Sequence, residues 1–263
     1  MGRRDPDHEV TPLETAAAAP TVELDDLSYA YDDGRAVLRG LTLRVLSGET
    51  VVLAGLSGCG KTTLCNCITG LAPKALGGHL SGRVRILGED IASLPLSQLP
   101  SRVGLVFQEP DNQMIATTVE DEVAFGPENV IVEPRDIRRR VDRELERFGI
   151  RHLALRAPGD LSGGEKHLVA IAAVLALEPP ILVLDEPLTH LDERGRCLVV
   201  EALRRLQDER RTLIIVEHDL SQIDFAHRYL VMEEGRIVSD TPQAPDEFVD
   251  RIDGPRPNQM TPP

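Results

Sequence analysis

The amino-acid sequence predicts an α/β fold with a largely parallel core sheet, an antiparallel β part near the N-terminus and a helical subdomain. Three observations carry this expectation. Short runs rich in Val, Ile and Leu alternate with segments of helical period, as strands joined by crossover helices do. Some of these runs, such as Ile181–Leu184, are apolar at every position, which marks strands buried on both faces. A glycine-rich loop also separates one such run, Thr50–Ala54, from a helical pattern.

In chain order, residues 1–20 contain Pro6, Pro12, Pro20 and an alanine run without amphipathic period, and they read as a disordered tail. Strands are expected over 22–29, 41–46 and 50–54, a helix over 61–69, and strands over 83–87 and 103–107. Within 134–148, Ile137, Val141, Leu145 and Phe148 recur at helical spacing and leave Arg138, Arg139, Asp142 and Glu146 to solvent. Those charges are a solvated face. A helix over 164–177 is followed by a strand at 181–184, a helix at 193–208 and a strand at 212–217. A helix at 221–227 and strands at 229–233 and 236–239 complete the pattern, and the Pro-rich segment 241–263 reads as a second tail. The expected organisation is one domain over 21–240, with its helical part at about 110–165.

The 263 residues carry 29 Lys+Arg against 43 Asp+Glu, a net charge of −14, which argues against a surface that grips nucleic-acid phosphates. The longest apolar run, Leu168–Leu177, falls well short of the roughly 20 residues that span a bilayer. The charged start MGRRDPDHEV has no apolar h-region, so a cytosolic setting is expected. Cys59, Cys65, Cys67 and Cys197 show neither zinc spacing nor a disulfide framework and are read as reduced thiols.

Gly55-Leu56-Ser57-Gly58-Cys59-Gly60-Lys61-Thr62 matches the phosphate-loop pattern G-x-x-x-x-G-K-[ST] in the strand–loop–helix context that the chemistry needs. Glycines let backbone N–H groups converge on phosphate oxygens, and the helix N-terminus adds partial positive charge. Lys61 is placed to reach β- and γ-phosphates, and the Thr62 hydroxyl to ligate Mg²⁺. Downstream, Ile181–Leu184 ends in Asp185 and Glu186, two acids at the strand edge where ligands sit in open α/β sheets. Asp185 would hold Mg²⁺ directly or through water, and Glu186 would take a proton from the attacking water; both acids capping the following segment is the alternative.

Leu161-Ser162-Gly163-Gly164-Glu165 precedes the apolar helix, and Ser162 with Glu165 forms an S-x-x-E capping box. A capping box leaves the two consecutive glycines unexplained, since each costs a helical turn about 1 kcal/mol. Bare N–H groups, a hydroxyl and a helix dipole make a second phosphate-binding terminus. Two such termini in one chain suggest that each closes on a nucleotide held by another subunit.

The phosphate loop, Gln108, Leu161–Glu165, Ile181–Glu186 and His218 occur in the order found in the nucleotide-binding ATPase subunits of ABC transporters, which the chain resembles over roughly 22–240. The resemblance implies a P-loop NTPase fold of ABC ATPase type and a head-to-tail dimer holding ATP and Mg²⁺ between phosphate loop and signature motif. It implies that Tyr31 stacks on adenine, that Thr63 joins the phosphate-loop contacts, and that Gln108 senses Mg²⁺. Ser162, Gly163, Gly164 and Glu165 would contact the other subunit's nucleotide, Asp192 the dimer partner, and His218 the γ-phosphate. An N-cap for the helix at 193–208 explains Asp192 equally well.

The longer stretch Val106–Gln113, followed by Thr117–Asn129, resembles the ATPases of energy-coupling factor importers for vitamins and cobalt or nickel. That likeness implies a transmembrane partner contacted near Gln108–Gln113 and a peripheral place on the cytoplasmic membrane face. The sequence departs from the family pattern at Glu165, His167 and Leu168, and in Leu188-Thr189-His190. Pairing with an identical or an unlike ATPase subunit both remain open. A soluble ABC-type ATPase module in cofactor assembly is the alternative function.

Overall fold

The computed structural model describes residues 20–130 and 132–245, so the two segments read as tails lie almost wholly outside the described residues. Strands β1 (Pro20–Ala30) and β2 (Ala36–Leu46) form a hairpin, followed by β3 (Thr50–Ala54), α1 (Lys61–Ile68) and the one-turn α2 (Leu71–Lys74). Next come β4 (His79–Ile86), β5 (Glu89–Asp90), β6 (Val103–Val106), α3 (Val119–Asn129) and α4 (Pro134–Arg147). The chain continues with α5 (Gly163–Leu175), β7 (Ile181–Asp185), α6 (Glu193–Asp208), β8 (Thr212–Val216), β9 (Arg228–Glu233) and β10 (Arg236–Thr241).

The strands make two sheets, an antiparallel one in the order β2-β1-β4-β5 and a six-stranded one in the order β10-β9-β3-β8-β7-β6. Within the larger sheet only β10 runs antiparallel, at the edge on β9. Its register places Leu53 opposite Val216, Asp185 opposite Val216 and Val106 opposite Leu184. The C-terminal ends of β3, β6, β7 and β8 therefore finish along one sheet edge, and the loops leaving them carry the site.

Both faces of the parallel sheet are covered, which is why its strands lack polar alternation. Val51 and Leu53 pack with Val22, Leu24 and Leu38 of the antiparallel sheet and with Leu64 and Ile68 of α1. Val52 and Ala54 face the other way, toward Ile171 and Val174 of α5 and Val199 and Leu203 of α6. A third cluster joins Val119 and Val123 of α3, Val141 and Leu145 of α4, and Leu168 and Val169 of α5.

Three local outcomes differ from expectation. The segment 221–227 is not a helix; Tyr229 O–H donates to the Ile223 carbonyl and His227 N–H to the Thr50 carbonyl, so the two groups that a helix would pair with each other are taken elsewhere. Helix α3 falls inside the helical part expected at about 110–165 but was not expected as a segment of its own, although Thr118 caps it by accepting from Asp121 N–H. Its apolar period is weak, and Gly126 and Pro127 lie inside it. Strands β2 and β4 also begin earlier than expected, because both pair with the long β1.

Candidate active site

The loop Gly55–Gly60 turns β3 into α1 under tight backbone constraint. At Gly55 a Cβ would lie 2.4 Å from the Met232 carbonyl oxygen, and Gly60, at φ 111°, directly precedes the helix. No side chain caps α1, so the first-turn N–H groups are left for an anion. Lys61 is 5% exposed and folds back over the loop, donating to Gly55 O at 2.8 Å and Leu56 O at 3.2 Å. Cys59 is half-buried, and burial pushes its thiol above the usual range.

The two acids after β7 have different surroundings. Asp185 is buried, and burial raises its carboxyl above the ordinary aspartate value while the Thr62 hydroxyl beside it works the other way. Its Oδ1 has no hydrogen-bond partner. Glu186 sits at φ 48°, a left-handed conformation that costs a non-glycine residue on the order of 1–3 kcal/mol. Its N–H bonds Val216 O at 2.9 Å, and its carboxylate accepts from Gln108 Nε2 at 2.9 Å. Lys61 Nζ and His218 Nδ1 each lie 3.8 Å from that carboxylate. The structure thus gathers Lys61 from the first turn of α1 and Gln108, Glu186 and His218 from three separate loops around one point.

An open cleft of about 610 Å³ runs along this edge, lined by Ser57–Thr63, Gln108 and Glu186 at one end and by Tyr31, Arg35 and Val37 at the other. Tyr31 shares a hydrogen bond with Thr63 at 3.0 Å, whereas Tyr29 turns into the core and donates to Gly77 O. Sequence reasoning missed Arg35, whose guanidinium lies 5.1 Å over the Tyr31 ring, and the cleft walls Val37 and Glu234–Gly235. The turn at 32–34 folds Arg35 back over Tyr31.

The second helix terminus lies elsewhere. Ser162 and Glu165 form the full capping box at the start of α5, and the Ser162 backbone N–H holds the Glu165 carboxyl below its usual value. Ser162 and Gly163 are exposed, and neither they nor Gly164, Glu165 and Asp192 line the phosphate-loop cleft. Gly164 has a packing reason: a Cβ there would lie 2.6 Å from Gly195 Cα of α6. Asp192 caps α6 by accepting from Gly195 N–H at 2.8 Å. Lys166 pairs with Asp111 at 2.7 Å, tying the start of α5 to the segment after Gln108.

Among the described residues no group of three or more His, Cys, Asp and Glu side chains is arranged to hold a metal ion. A single buried carboxylate oxygen beside a hydroxyl suits a hard cation that takes its remaining ligands from water and phosphate.

The ABC transporter family profile matches residues 38–189. A Methanosarcina mazei protein, provisionally named an ABC transporter ATP-binding protein, is 46% identical over 215 residues, 81% of this chain and 36% of its own length. The chain spans only 35% to 39% of the length of the Methanosarcina relatives it matches. The energy-coupling factor transporter ATP-binding protein EcfA of Carboxydothermus hydrogenoformans is 39% identical, with 83% of this chain and 80% of its own covered. The structure of cbiO1 from Clostridium perfringens, part of the ABC transporter complex cbiONQ, superposes with a TM-score of 0.76 at 35% identity, covering 85% of this chain and 88% of its own. The ATP-binding cassette MJ0796, solved as a dimer in a post-hydrolysis state with ADP and Pi, gives a TM-score of 0.73 at 26% identity over 84% and 98%.

Proposed function

The chain belongs to the ABC transporter family, and on that premise we propose that it binds and hydrolyses ATP to power an importer of the energy-coupling factor type. The observation that carries the chemistry is the Glu186 carboxylate, fixed by Gln108 at 2.9 Å with Lys61 and His218 each at 3.8 Å, at the phosphate end of the cleft. ATP would lie with its base against Tyr31 and its phosphates in the Gly55–Gly60 loop. Lys61 would exchange the Gly55 and Leu56 carbonyls for phosphate oxygens.

Mg²⁺ fits the donor set of Asp185 and Thr62, with Gln108 contributing the amide oxygen that its bond to Glu186 leaves over. When bound, the ion offsets charge on the β- and γ-phosphates. Glu186 accepts the proton of the attacking water, and His218 faces the same phosphate. Ser162 and Gly163, exposed on the chain and away from its own cleft, would close on the nucleotide of a second ATPase subunit.

The membrane side of the reading rests on an apolar groove of about 470 Å³ between α3 and the sheet, lined by Phe107, Gln113, Phe125, Gly126, Val174 and Leu177. Phe125 is 44% exposed there. Among the described residues no helix is long and apolar enough to cross a membrane, so a transmembrane partner would supply the span and a helix to fill this groove. The transported solute, a vitamin or a transition-metal ion, would be recognised by that partner. Co-purification tests the reading: the chain should retain a polytopic membrane protein, and Phe125→Glu should release it. Retention of that partner by Phe125→Glu contradicts the docking site, and capture of soluble assembly proteins alone favours a cofactor-assembly module.

A further inference from the structure

One buried carboxylate has no place in the chemistry above. Glu217, the last residue before His218, is 1% exposed and points its side chain across to the loop that leaves β7. The β7–β8 ladder ends at Asp185 and Val216, and Glu186 N–H takes one more carbonyl, Val216 O, at 2.9 Å. Pro187 has no N–H to offer. The next donor, Leu188 N–H, goes to Glu217 Oε1 at 2.7 Å, so a side-chain oxygen continues the pairing where the strand has ended. The other oxygen, Oε2, accepts from His218 N–H at 3.3 Å and lies 3.7 Å from His218 Nδ1.

We propose that Glu217 is a positioning residue that sets the spacing between Glu186 and His218 by clamping the two loops that carry them. The proposal rests on the reading that both of those side chains act at the γ-phosphate. Beyond the clamp the loops separate around a cavity of about 330 Å³ lined by Thr189, His190, Arg196, Asp219, Ser221 and Gln222. On the far side of this cavity Arg196 of α6 pairs with Asp219 at 3.5 Å, a partly exposed contact weaker than a buried bond. Removing Glu217 leaves Leu188 N–H and His218 N–H without their acceptor and frees His218 to swing from Glu186. An amide at this position has one acceptor oxygen for two donors, so Glu217→Gln keeps half of the clamp.

A double-mutant cycle tests this on the purified full chain in the assembly it is isolated in, with Mg-ATP as substrate. Glu217→Ala is expected to lower kcat about tenfold and Glu217→Gln about threefold, with KM for ATP within twofold of wild type. In a His218→Ala background the Glu217→Ala loss should shrink below threefold, because the side chain it positions is gone. A general structural defect would instead cost the same factor in both backgrounds. Unchanged kcat in both Glu217 variants, an undiminished loss in the His218→Ala background, or a collapse of ATP binding overturns the proposal while leaving the roles of Glu186 and His218 standing. Wild-type turnover by His218→Ala removes the reading beneath it, and the proposal with it.

Discussion

Glu186 occupies a left-handed backbone conformation and contacts three separate loops, so its identity answers to local geometry and chemistry together. Glu186→Gln preserves the shape and an acceptor but removes the base. We expect ATP affinity within about threefold of wild type and turnover reduced at least a hundredfold, measured by equilibrium binding and phosphate release. Lys61→Ala should instead weaken ATP binding, because it removes the charge that the loop carbonyls now hold beside the cleft. Tight ATP binding by Lys61→Ala would contradict that assignment. Glu217 gives a pH signature: burial lifts it from an ordinary 4.5 to about 8, so between those values the folded chain holds a proton that the unfolded chain has lost. Its contribution to stability is full below pH 4.5 and declines as pH rises through 8. Melting at pH 6 and pH 8.5 should show a larger drop for wild type than for Glu217→Gln; parallel drops would contradict the shift.

Among the elements, the start of α5 separates two uses of glycine. A Cβ on Gly164 would collide with the Gly195 backbone at 2.6 Å, whereas one on Gly163 would meet only the tip of Leu191 at 2.9 Å. Gly164→Ala should therefore cost about 1–3 kcal/mol and lower the melting temperature by several degrees. Gly163→Ala should melt close to wild type and yet slow hydrolysis, since that residue is exposed and its N–H is part of the proposed anion site. Equal destabilisation by both would contradict this division. The sequence already displayed the doubled glycine, but the helix α6 that demands one of them arrives some thirty residues later, and contact across that distance leaves no local signature. Helix α3 went unassigned for a different reason, its weak apolar period with Gly126 and Pro127 inside it, and the Arg35–Tyr31 stack because residue spacing does not fix where a turn points a side chain; the phosphate loop, the capping box and the all-apolar strands were legible because neighbours in sequence determine them. The helix expected at 221–227 is lost to contacts from outside it: Thr50, far away in sequence, takes His227 N–H, and Tyr229 takes the Ile223 carbonyl.

For the whole molecule, the parallel sheet gathers the ends of four strands on one edge, while the second helix terminus with Ser162 and Gly163 opens away from that cleft. On the proposed reading such a chain carries both halves of a nucleotide clamp, and Ser162 and Gly163 lie away from the cleft they would otherwise close. Lys166–Asp111 links the exposed terminus to the segment after Gln108. We expect ATP to be cleaved only where two ATPase subunits face each other. Hydrolysis per molecule is therefore to be recorded across a dilution series, with mass read by light scattering in the same samples. Turnover should follow the fraction of dimer and vanish in the monomer; a constant rate per molecule in strictly monomeric samples would contradict it.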